Sequence, residues 1–222
     1  PADRAPAQHR LPRGRGRLEL LSGARALARV PQLRRITLAS CLAIFGAAGL
    51  TLTAVLLATG FGTPERGGLL MGLLGGGALA ASVAVARRTP PVGPAALAGA
   101  GLLISAVGLL GAAIAADFWV CALCFALAGA GEGPVLSATL RIRADHAPPG
   151  ARAQVFTLGA GLKITAAAAG TALAALLAGR LAPEQLLLFI AALNVVAAAT
   201  LIPAPRPRAA GPGGPAAAAH GG

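Results

Sequence analysis

The sequence predicts an all-α integral membrane protein with six transmembrane helices, and three observations carry that reading. Six long runs are almost free of charge, and arginine gathers in alternate connections between them. Hydrophobic residues make up 56% of the chain against 12% charged, which leaves no room for a separate soluble domain of ordinary composition. A helix crosses a hydrocarbon core of about 30 Å with roughly 20 residues and satisfies its own backbone hydrogen bonds where lipid offers none.

The spans are expected at 36–62, 67–86, 92–116, 118–140, 153–179 and 186–202 within a membrane domain of residues 36–203. Four of them contain no Asp, Glu, Lys or Arg; the fourth span holds only Glu132 and the fifth only Lys163. Pro64, Pro90, Pro91, Pro148, Pro149, Pro183 and Pro203 punctuate the connections, where no interior helix hydrogen bond is lost. Pro134 is the exception, inside the fourth span just after Gly129, Gly131 and Gly133. Glycines four apart, Gly68, Gly72 and Gly76 or Gly129 and Gly133, predict smooth faces for close helix packing, while Gly131 to Pro134 offers a flexible break that aids gating.

Ahead of the first span, residues 1–17 read as a disordered basic linker rich in Pro, Arg and Gly. Residues 18–35 read as an amphipathic interfacial helix and a basic membrane entry, because Leu20, Leu21, Ala24, Leu27 and Ala28 recur at helical spacing with Arg25 and Arg29 between them. Residues 204–222, rich in Pro, Ala and Gly, are expected to be a disordered tail. The chain opens at Pro1 without an initiator methionine or signal peptide, so a piece of a longer protein is expected.

Of the 19 Lys and Arg residues, nine precede the first span. Arg87 and Arg88, then Arg141, Arg143 and Arg152, then Arg206 and Arg208 follow in alternate connections and the tail. The intervening loops carry Arg66 and Arg180 alone, and Lys163 lies within a span. The positive-inside rule then places both termini in the cytoplasm of a multi-pass protein of the cell membrane. In a soluble protein the net charge of +12 would suggest nucleic acid as a partner. Here the arginines act as topology signals, and the basic tail lacks the aromatic interleaving of a nucleic-acid site. Cys41, Cys121 and Cys124 all fall within spans; a single CxxC without a second pair or a nearby histidine reads as small packing residues, with no metal and no cofactor implied.

Several features together resemble the C-terminal half of a major facilitator superfamily transporter. They are the basic linker, the interfacial helix ending in Pro31-Gln-Leu-Arg-Arg35, and the six Gly-rich spans. The stretch Leu127-Ala-Gly-Ala-Gly-Glu-Gly-Pro134, followed by Arg141 to Arg152 and by Gln154-Val-Phe-Thr-Leu-Gly-Ala-Gly-Leu-Lys-Ile-Thr165, is similar to helices ten and eleven of actinobacterial-type efflux members. The loop Ala86-Arg-Arg-Thr-Pro-Pro-Val-Gly93 lacks the Asp of the family's loop pattern. Gly129-x-x-x-Gly133-Pro134 is similar to the antiporter motif, but that motif belongs to the first half, so antiport is not inferred from it. The resemblance implies half of a twelve-helix fold, built as a three-plus-three inverted repeat, with the substrate site between halves near the midplane. It also implies an upstream six-helix half as partner and alternating-access transport of a small solute, in the form of proton-coupled efflux. The alternatives are a non-transporting six-helix scaffold or a half-size transporter working as a homodimer.

Glu132 and Lys163 are the candidate substrate- or proton-coupling residues. A charge at the bilayer centre facing lipid costs about 2.5–3.5 kcal/mol or more, so both should face the protein interior or a cavity. Counting from the span ends puts both roughly 12–15 Å deep on consecutive helices. Glu132 is expected to carry a proton or cation, with Lys163 as counter-charge or anion-binding group; the alternative is a permanent salt bridge that fixes helix packing. Ser137, Thr157 and Thr165 are candidate polar neighbours in the cavity. Enzyme activity is not expected: His9, His146 and His220 lie in tails or a loop, and clustered Asp or His for a metal-dependent transferase is missing. The partners implied are a small-molecule substrate, weakly a hydrophobic or amphipathic one, and membrane lipid.

Overall fold

The computed structural model describes residues 23–88, 91–148 and 150–202, and among these it is entirely helical. The expected linker at 1–17 and tail at 204–222 lie outside the described residues. Helices α1 (Pro31–Ala47) and α2 (Leu50–Gly60) together form the first span. A 3-10 turn (Pro64–Arg66) leads into α3 (Gly67–Arg87), followed by α4 (Pro94–Ala113), α5 (Phe118–His146), α6 (Arg152–Ala178) and α7 (Pro183–Leu201). All six units are long and apolar enough to cross a membrane.

Local chemistry sets the helix starts. Pro31, Pro94 and Pro183 occupy the first turns of α1, α4 and α7, where a missing N–H costs nothing and the fixed φ suits the helix. Asp117 caps α5 by accepting from the N–H groups of Trp119 (2.8 Å) and Val120 (3.1 Å). At the other end of α5, the Arg152 guanidinium donates to the Ala144 carbonyl at 2.9 Å, a cation on a helix C-terminus that also fixes the turn into α6. Gly150 permits that turn by adopting φ +84°.

The first span is not one continuous helix. Ala48 and Gly49 keep right-handed backbone angles, but the Gly49 N–H bonds the Gly46 carbonyl three residues back before α2 begins. Hydropathy runs unbroken through this joint, so it left no mark in the apolar pattern.

The helices pack as two interlocked triplets: α5 against α3 and α4, and α1 against α6 and α7. Contacts of α4 with α7, α2 with α3 and α1 with α5 join them. Close approach runs through small residues. A Cβ on Gly129 would collide with the Leu74 carbonyl of α3, and one on Gly133 would lie 2.7 Å from the Ala78 carbonyl and 2.7 Å from the Ser82 nitrogen. On the other side of α5, Gly131 meets the Gly101 carbonyl and the Ser105 nitrogen of α4. These three glycines let one helix serve two neighbours at backbone distance. On α3 the packing residue is Gly77, against the Ala126 carbonyl. The expected stripe of Gly68, Gly72 and Gly76 has nothing within 4 Å and lies on an open face.

Two apolar clusters fill the interior. One, with Leu33, Ile36, Leu102, Ile142 and Val155, lies at the end rich in arginine; the other, with Leu57, Leu70, Leu109, Phe125 and Leu187, lies at the opposite end. The helical segment over 23–29 packs on the first of these through Ala26 and Leu27. Arg25, Arg29, Ala24 and Ala28 are exposed. Over these described residues the buried face is therefore narrower than the spacing of Ala24, Leu27 and Ala28 suggested.

Candidate functional site

The ionisable groups within the bundle come from α5 and α6, with one thiol from α1. Glu132 is half-buried on α5 between the two packing glycines Gly131 and Gly133. The tight seams those glycines make on either side hold its backbone in place. Pro134 follows without an N–H, which frees the Ala130 carbonyl one turn back, yet α5 stays helical through it. Lys163 is half-buried on α6.

The third charge is Arg143, eleven residues after Glu132 and therefore on nearly the same face of α5. Its side chain is only 4% exposed, and it is the buried arginine among the described residues. Helix α6 meets it at Gly159, where a Cβ would lie 2.6 Å from Cζ, 2.7 Å from Nη2 and 2.9 Å from Nη1. Only glycine leaves room for a guanidinium so near the α6 backbone. Lys163 is one turn further along α6 from Gly159, on the same side. Cys41 of α1 interacts electrostatically with both cations, Lys163 with Arg143, and Glu132 with Lys163. The four side chains form one electrostatic neighbourhood where α1, α5 and α6 converge.

Glu132 and Lys163 do not form an ion pair within 4.0 Å. Among the described residues such pairs are Arg66 with Glu65 at 4.0 Å and Arg141 with Asp145 at 3.9 Å, both exposed. The two interact through space without a direct contact.

The hydroxyls expected nearby do not join this group. Ser137 faces a separate cleft between α3, α4 and α5 that is also lined by Val85, Leu97 and Arg141, and it donates to the Gly133 carbonyl at 3.0 Å. Thr157 and Thr165 are exposed on other faces of α6, Thr165 donating to the Gly161 carbonyl at 3.1 Å. The interior polar contact that sequence reasoning missed is Asn194 of α7 donating to Ser105 of α4 at 3.1 Å, both residues buried. Arg143 is not visible as a site residue in the sequence, where it reads as a loop charge, but it lies inside α5. Its spacing of eleven from Glu132 and the Gly159-x-x-x-Lys163 spacing on α6 were the signals available.

A family model for the Major Facilitator Superfamily matches residues 12–220. The chain belongs to the Major Facilitator Superfamily. No curated protein and no solved structure matches it in the same comparisons. Membership in the superfamily makes this a multi-pass membrane protein of a transporter fold, in a family of transporters and not of enzymes. For a superfamily chain, charges on α5 and α6 within the spans are a candidate solute or ion site on physical grounds alone, since their cost in lipid demands a protein or water environment.

Proposed function

We propose that this chain moves a small solute across the cell membrane by alternating access, as proton-coupled efflux, acting as the C-terminal half of a two-half transporter. The observation that carries the reading is the uneven cover of the helices. The spans of α3 and α6 are each only 6% buried, against 44–50% for the other four. Lys163 belongs to one of these open helices, and the unoccupied stripe of Gly68, Gly72 and Gly76 to the other. A second six-helix half packed there would cover both and enclose a site between the halves. In this reading Glu132 carries the coupling proton, and Lys163 balances its charge when the proton leaves. The arginine-rich helix ends and both termini face the cytoplasm.

Reconstitution tests the division of labour. The chain alone in liposomes should give no solute flux above empty vesicles, and coexpression with an upstream six-helix half should restore it. Robust flux from the purified chain alone would favour a homodimer, in which a second copy covers the same two helices.

A further inference from the structure

Arg143 has a property that a topology signal does not need. Its Nε and Nη2 are buried and have no hydrogen-bond partner among the described residues. These two N–H groups form one edge of the guanidinium, the side-on fork that matches the two oxygens of a carboxylate or phosphate group. Burying these donors without acceptors is costly, and among the described residues no hydrogen bond to either offsets that cost. Its described neighbours do not supply the missing charge. Lys163 is a second cation, Cys41 is a thiol, and Glu132 is, among the described residues, the single carboxylate that interacts with the group, through Lys163. Among the described residues, two cations against one carboxylate leave one positive charge over.

We propose that Arg143 and Lys163 form the binding site for a small organic monoanion, whose carboxylate is taken by the Nε/Nη2 edge of Arg143 with Lys163 as the second cation. This names the substrate class of the transport reading above and rests on it. Access follows from the packing. Helix α6 is held chiefly by α1 and touches α5 only sparsely, so the α5–α6 cleft is the weakest seam beside the guanidinium. Gly159 is part of the site because it sets the position of Arg143 without contributing charge. A hydrophobic or amphipathic body would suit the rest of the surroundings, where Leu158 and Val155 of α6 and Ile142 of α5 are apolar.

The test is calorimetric titration of the full chain, purified in a non-ionic detergent, with sodium benzoate and with its neutral isostere benzamide. Benzoate should bind and benzamide should not. Arg143→Gln should weaken benzoate at least tenfold, and so should Arg143→Lys, which keeps the charge and loses the fork. Gly159→Ala should do the same with every charge intact, since its Cβ displaces the guanidinium. Arg141→Gln, two residues away and exposed, should leave the affinity unchanged. Equal benzoate affinity in the parent chain and both Arg143 variants overturns the proposal. So does the lack of any benzoate response in a parent chain that still melts cooperatively. A lipid phosphate is the other source of the same chemistry. If Arg143-dependent stabilisation comes from phosphatidylglycerol in mixed micelles, and benzoate does not compete with it, the solute assignment is overturned. Flux is read separately: Arg143-dependent benzoate binding together with no driven transport in the two-half protein would count against the transport reading alone.

Discussion

Glu132 and Lys163 were legible in the sequence because an ionisable residue within a span is conspicuous against an apolar background. Whether they touch was not, since counting from span ends does not say how two side chains on consecutive helices meet, and the pair interacts without an ion pair within 4.0 Å. The double mutant decides what the pair does. If Glu132 carries the coupling proton, Glu132→Gln in the two-half protein should keep its detergent melting temperature within a few degrees and lose pH-gradient-driven flux. Adding Lys163→Gln should then not restore that flux. A structural pair would behave the opposite way, each single change stranding a charge and the double change recovering both stability and flux. The glycines of α5 make a second prediction at this scale. Gly131→Val forces side-chain atoms into the Gly101 carbonyl and should cost about 1–3 kcal/mol or prevent folding. Gly72→Ala, on an open face, should leave the melting temperature of the isolated chain unchanged.

The existence of the six helical units was readable from charge-free length alone, because a membrane allows few other structures. What the apolar pattern hid were features that do not alter hydropathy. The joint at Ala48 and Gly49 is made of small apolar residues, and a Cβ on Gly49 would lie 2.8 Å from that of Ala174 in α6, so the glycine is set by packing. The choice of Gly77 over Gly76 as the residue that meets α5 depends on the rotation of α3, which glycine spacing does not encode. Helix ends were more legible, since capping chemistry is local. Asp117→Ala removes both bonds to the first turn of α5 and should lower stability by about 1 kcal/mol, seen as a lower melting temperature in detergent. The same end of α5 carries a ring cluster. Phe118 stacks edge-on with Phe61 (6.3 Å between centroids) and with Trp119 (5.5 Å), and Arg66 lies 5.5 Å from the Phe118 centroid. This ties the loops after α2 and before α5 together, and Phe118→Ala should loosen both, measured as faster proteolysis at the Thr63 loop.

At the scale of the molecule, arginine placement gives an orientation that labelling can check. Single cysteines placed at Arg88 and His146, in a background free of native cysteines, should react with an impermeant maleimide only after the membrane is opened. One at Thr63 should react in intact cells, and a requirement for permeabilisation there would overturn the orientation. The packing of the bundle adds a consequence for its synthesis. Helix α7, which leaves the ribosome after α1 to α6, lies between α1 and α4 and supplies Asn194 to Ser105, 89 residues earlier in the chain. Until it inserts, α1 and α4 keep open flanks and Ser105 waits without that partner. The order of translation therefore makes α7 the keystone of this six-helix bundle, and a chain stopped at Leu181 should enter the membrane yet be cleared by quality-control proteases, whereas the chain that includes α7 persists.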